Sequence, residues 1–176
     1  MKCMIRDELK KRLNLSHRRN LKLYQHIGLL STYFSSLELQ LIEVLAKCIN
    51  PNSPDRVFMT LSQLSFRQCV NVFRQTIPKF FPKRDIITYV KQLANRLDDV
   101  SSRRNEFIHS SWIAYSTGDY GQHRARVKNN LPLGPQVHPK NPKKLMDDLI
   151  DEIDQLLFDL ICLEDELKKI DSKKSN

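Results

Sequence analysis

Between Leu145 and Ile170 apolar residues recur at steps of four and three: Leu145, Leu149, Ile153, Leu156, Leu160, Leu163, Leu167 and Ile170. That spacing returns to one side of an α-helix at every turn and cannot line one face of a strand. The acidic residues of the segment fall away from the stripe. Asn141 followed by Pro142 opens the helix, because proline fits the first helical turn. A stripe of this length has to be covered by other helices.

The same period recurs upstream. Ile5, Leu9 and Leu13 predict a short amphipathic helix over 3–14. Ile27, Leu30, Phe34, Leu37, Leu41, Val44 and Cys48 predict a second over about 19–49, ended by the run Asn50-Pro51-Asn52-Ser53-Pro54. Thr60 is positioned to cap a helix containing Leu61, Leu64, Val70, Phe73 and Ile77, with Pro78 as its stop. Asp85 caps the next, over 86–113. Gly and Pro together supply only 12 of 176 residues, which disfavours a turn-rich all-β fold. The expectation is an all-α chain: one domain over 1–176, an up-and-down bundle of four to five helices.

Residues 114–141 interrupt the pattern. They hold Gly118, Gly121, Gly134, Pro132, Pro135 and Pro139, and read as a small β-hairpin or a long basic loop before the last helix. Residues 112–116 and 122–129 would form the arms of the hairpin. Tyr115 and Tyr120 there would stack on bases or pack on their own sheet.

Charge is uneven. The net value is +9, with +6 in residues 1–30, +5 in residues 115–144 and −6 in residues 145–176. The N-terminal part, 1–18, reads as a basic helix or arm. Such an excess suits a polyanionic partner, nucleic acid or acidic protein, although solvated basic faces are also common. No stretch approaches the roughly 20 apolar residues of a membrane span. The first residues, MKCMIRDELKKR, lack the apolar centre of a signal peptide. Cys3, Cys48, Cys69 and Cys162 are scattered, fit neither a disulfide framework nor a zinc site, and read as buried free thiols in a reducing, cytoplasmic setting. His17, His26, His123 and His138 match no motif.

The most informative segment is 86–113. Val90, Leu93, Leu97 and Val100 set an apolar seam whose next position is 104, and that position holds Arg104. The seam resumes at Phe107, Ile108 and Trp112. A charge where the pattern asks for leucine is costly unless it is paired or wet, and such violations collect at functional sites. Asp98, Ser102, Asn105 and His109 form a polar stripe beside the seam, with Asn105 and His109 one turn apart. Arg104 lies about 140° around the axis from His109, so one straight helix does not aim both at one atom. A bend, the reach of the arginine, or a second copy has to close that gap. On spacing alone, a satisfied structural Arg–His pair is the plainer reading.

Arg104-Asn105-Glu106-Phe107-Ile108-His109 resembles the Arg-polar-x-x-x-His motif of the HEPN superfamily, with Asn105 at the polar position. Ser110, Ser111 and Trp112 resemble that family's frequent small-x-Trp ending. The resemblance covers the helical layout over about 20–176, and its sharp part is six to nine residues. It implies an endoribonuclease that needs no metal or other cofactor and works as a homodimer with both motifs in one cleft. His109 would act as general base on a ribose 2′-OH or as acid toward the 5′-oxygen. Arg104 would stabilise phosphate charge, and Asn105 would orient the histidine. Asp98 and Ser102 would support these three from behind. Arg103, Arg124, Arg126 and Lys128 would bind RNA backbone, as would Arg18, Arg19 and Lys22. The RNA would be tRNA, mRNA or rRNA.

Family toxins that a partner modifies with AMP carry tyrosine two residues after the histidine. Ser111 stands there, which favours a phage-defence or abortive-infection effector over that toxin type. An antitoxin or other regulatory protein remains a partner class. The competing readings are a non-catalytic helical module that binds RNA or bridges proteins, and a nucleotide-binding cleft.

Overall fold

The first helix is longer than its periodicity suggested. In the computed structural model, α1 runs unbroken over Lys2–Ile49, 48 residues and about 70 Å. The two helices expected over 3–14 and 19–49 are one. The junction Asn14-Leu15-Ser16-His17-Arg18 holds weak helix formers but neither Pro nor Gly, so nothing there stops a growing helix. The structure describes residues 2–114, 120–123, 127–128, 131–132, 136–138 and 142–172, with side chains at 21, 23–110, 112 and 142–170.

Two short helices replace the single one expected after Thr60. Helix α2 spans Pro54–Leu61 with proline at its start, and Thr60 lies inside it, its hydroxyl donating to the Arg56 carbonyl at 3.2 Å. Helix α3 spans Phe66–Phe80 and is capped by Ser65. The Ser65 Oγ accepts from the Gln68 N–H, and the Ser65 N–H donates to the Gln68 side chain at 2.8 Å. This reciprocal capping box satisfies two N–H groups that a helix start leaves open. Pro78 does not stop α3, which carries on for two further residues. Proline there removes one i→i−4 backbone bond, a cost the helix bears this close to its end.

Helix α4 spans Arg84–Ile108, with Asp85 in its first turn. It ends before the expected residue 113. The Trp112 indole Nε1 donates to the Phe107 carbonyl at 3.0 Å, filling an acceptor of the last turn, and the Trp112 ring stacks on Phe107 at 5.9 Å. Trp112 belongs to strand β1, Ser111–Ala114. Strand β2, Tyr120–His123, pairs antiparallel with β1, placing Ser111 opposite His123 and Ala114 opposite Tyr120. The paired segments are shifted from the expected arms, 112–116 and 122–129, of which 115–116, 124–126 and 129 lie outside the described residues. Strands β3 (Val127–Lys128) and β4 (Leu131–Pro132) pair with each other, and β5 (Gln136–His138) adds to the free side of β2. Helix α5 runs over Pro142–Ser172, starting at the expected proline.

Among the described residues the fold is all-α with five helices, and the chain divides into two compact units. One comprises Met1–Ser31 and Asn105–Asp148. Among the described residues its buried apolar side chains include Leu23, Leu30, Met146, Phe107 and Trp112, and His26 Nε2 lies 3.5 Å from Asp147. The other comprises Thr32–Arg104 and Leu149–Asn176. Its core draws Leu37, Leu41 and Val44 from α1, Val70, Phe73 and Ile77 from α3, Val90, Leu93 and Leu97 from α4, and Ile153, Leu156 and Leu160 from α5. The α5 stripe is therefore the buried one from Leu149 to Leu167, with Ile170 half-buried. Leu145 is exposed, and Met146 takes the interior. No described helix is long and apolar enough to cross a membrane.

Candidate functional site

Arg104 sits where the α4 seam reaches its limit. Its guanidinium carbon lies 4.7 Å from the centre of the Phe34 ring on α1, a cation–π distance. Phe34 is buried and packs against Phe66 at 4.7 Å. Burial pushes the Arg104 pKa below its ordinary value, and the charge of Glu38 opposes that fall. Glu38 follows Phe34 by one helical turn, so one face of α1 offers Arg104 first a ring and then a carboxylate. The unexpected arginine of the seam is thus half-buried, charged and carried on an aromatic face.

Asn105 and His109 belong to the other unit. Asn105 is half-buried and His109 is exposed. The His109 N–H donates to the Asn105 carbonyl at 3.1 Å, which keeps the histidine in helical register beyond Ile108. The Ser110 hydroxyl donates to the Glu106 carbonyl. Side-chain and backbone bonds therefore fix the two residues that follow α4, and they leave the imidazole at the surface.

The remaining sequence candidates divide clearly. Arg103 is held by carboxylates: its guanidinium donates to Asp99 at 3.2 Å and to Glu152 on α5. Burial lowers its pKa, but the bonds from Glu152 and Asp99 outweigh burial and raise it overall. The Asp98 carboxylate accepts from Arg74 of α3 at 2.7 Å. The Ser102 hydroxyl donates to the Asp98 carbonyl at 2.9 Å. Both side chains are thus engaged within the bundle. Lys128 lies on β3, while Arg124 and Arg126 fall outside the described residues. Arg18, Arg19 and Lys22 lie on α1.

A second charged centre escaped the sequence reading, in which the acidic residues of α5 all faced away. Glu164 is 7% exposed. Its carboxylate accepts from Lys47 at 3.0 Å, Lys168 at 2.6 Å and Gln40 at 3.5 Å. Burial raises its pKa, but the bonds from Lys168 and Lys47 outweigh burial and hold it below the ordinary carboxyl value. The signal was available: Glu164 lies four residues after Leu160 and three before Leu167, inside the stripe. Beside it a cavity of about 410 Å³ is lined by Cys48, Phe80, Phe81 and Leu167 among others.

Of the cysteines, Cys69 is buried, Cys48 half-buried and Cys162 exposed, so the expectation of buried thiols fails for Cys162. Among the described residues no three His, Cys, Asp or Glu side chains converge as a metal site would require. Comparison of the chain with protein-family models, curated proteins and solved structures found no match.

Proposed function

We propose that this chain is a HEPN-type endoribonuclease that cleaves RNA without a metal, with Arg104, Asn105 and His109 at its reacting centre. The observation that carries the reading is the end of α4, where an exposed His109 follows by five residues an arginine that interrupts an apolar seam. An exposed imidazole is open to a substrate and can exchange protons with it. An arginine kept charged at a costly position is suited to a phosphate.

The chemistry is internal transesterification. The ribose 2′-oxygen attacks phosphorus and its proton passes to His109. The bond to the 5′-oxygen breaks, and that oxygen takes up a proton. The products are a 2′,3′-cyclic phosphate and a 5′-OH. Arg104 balances the charge gathering on the phosphoryl oxygens, and Asn105 steadies the histidine. DNA lacks the 2′-OH and would not be cut. A homodimer with both motifs in one cleft would remove the angular separation of Arg104 from His109. The biological setting that fits is phage defence or growth arrest in the cytoplasm.

The test is incubation of wild type, Arg104→Ala and His109→Ala with total RNA and tRNA in EDTA, at matched circular dichroism. Cleavage by wild type alone, leaving cyclic-phosphate ends, is expected. The contact of Arg104 with Phe34 favours one competing reading, in which the arginine is structural and the chain binds RNA or protein without cutting. That reading expects no cleavage by any form and a lower melting temperature for Arg104→Ala.

A further inference from the structure

The outer face of α5 carries large apolar side chains that its own unit leaves uncovered. Phe158 is 61% exposed and Ile161 46% exposed, and their spacing of three puts them on one face. Acidic residues flank them: Asp151 and Asp154 within two turns before Phe158, and Asp165 one turn after Ile161, all exposed. Between Leu145 and Leu167 α5 holds nine acidic residues and no lysine or arginine. Glu152 and Asp159 are compensated by Arg103 and Arg96. Asp151 and Asp154 make no ion pair among the described residues.

An apolar strip with an acidic border fits a basic amphipathic helix. This chain contains one. Residues 1–30 carry a net +6 on α1. Leu21 and Tyr24 of that helix are exposed, three residues apart, and Arg18 and Arg19 precede Leu21 within one turn. A second α5 would bring like charges together, and RNA or an anionic membrane would meet the exposed carboxylates of Asp151, Asp154 and Asp165. We propose that the outer face of α5 in one copy receives the basic N-terminal segment of α1 from a second copy. Phe158 and Ile161 supply the apolar contact, and Asp151 and Asp154 supply the attraction. The inference does not rest on the ribonuclease reading.

The test is sedimentation velocity of the full chain in about 50 mM and about 500 mM salt, where screening differs several-fold. Association at low salt, weakened at least about tenfold at high salt, is expected. Asp151→Lys with Asp154→Lys, and separately Arg18→Glu with Arg19→Glu, should each weaken it about tenfold or more. An equal mixture of these two double variants should restore it, because each then offers the charge that the other lacks. Phe158→Ser should weaken it about tenfold with no change of charge. A chain that is monomeric at low salt, an association untouched by both reversals, or a mixture that fails to restore it would each overturn the inference. A dimer formed through the Arg104–His109 segment would survive the reversals and the higher salt, so the two ideas fail separately.

Discussion

Glu164 and Arg104 are two charges set into apolar stripes of the same helical unit, and they are accommodated in opposite ways. Glu164 has two lysines and a glutamine on its carboxylate. Arg104 has a ring beneath it and a carboxylate nearby. Both pKa values fall, with opposite meaning. A lowered carboxyl pKa says that the fold favours the charge of Glu164. A lowered arginine pKa says that the fold disfavours the charge of Arg104. The first charge helps hold the bundle together. The second is tolerated by it, a cost that the proposed ribonuclease reading assigns to phosphate binding.

The largest stability effect expected is at Glu164. Glu164→Ala removes charge-assisted bonds and should cost about 2 kcal/mol, read by urea unfolding. If it costs nothing, the contrast with Arg104 is gone. A pH series sharpens the same point. A carboxyl whose folded pKa is depressed stabilises the fold above its unfolded value, about 4.5, and that contribution is lost as pH falls through the folded value. Wild type should therefore lose stability below about pH 4.5 more steeply than Glu164→Gln. Equal slopes would place the acid sensitivity elsewhere.

Much of the bundle was legible in the sequence because burial follows the helical period. Ile153, Leu156 and Leu160 are interior as their spacing requires, and Pro142 opens α5. Helix ends were read less well. Thr60 resembles a cap but lies inside α2, whereas Ser65 with Gln68 three residues later is the true start of α3. Trp112 continues the seam numerically, yet its indole closes α4 by bonding Phe107. Arg104 stood out because it broke a pattern. Its neighbours Phe34 and Glu38 did not, since they lie some seventy positions away and only folding brings them to it. Arg103 and Arg104 are adjacent in sequence, but Arg103 meets Glu152 across the bundle while Arg104 meets a ring, and no local pattern separates them.

A smaller effect tests the ring beneath Arg104. Phe34→Leu should cost about 2 kcal/mol in wild type and about 1 kcal/mol when Arg104 is already Met, the difference being the cation–π contact. An equal cost in both backgrounds would mean that the ring does nothing for the charge.

Arg104→Met tests the account most directly, with melting temperature and RNA cleavage measured on the same preparation. Replacing a half-buried charge by a side chain of similar length should stabilise the fold by about 1 kcal/mol, a rise of about 2–4 °C. Cleavage in EDTA should fall by at least about a hundredfold. A lower melting temperature with cleavage intact would contradict the account and make Arg104 a structural residue.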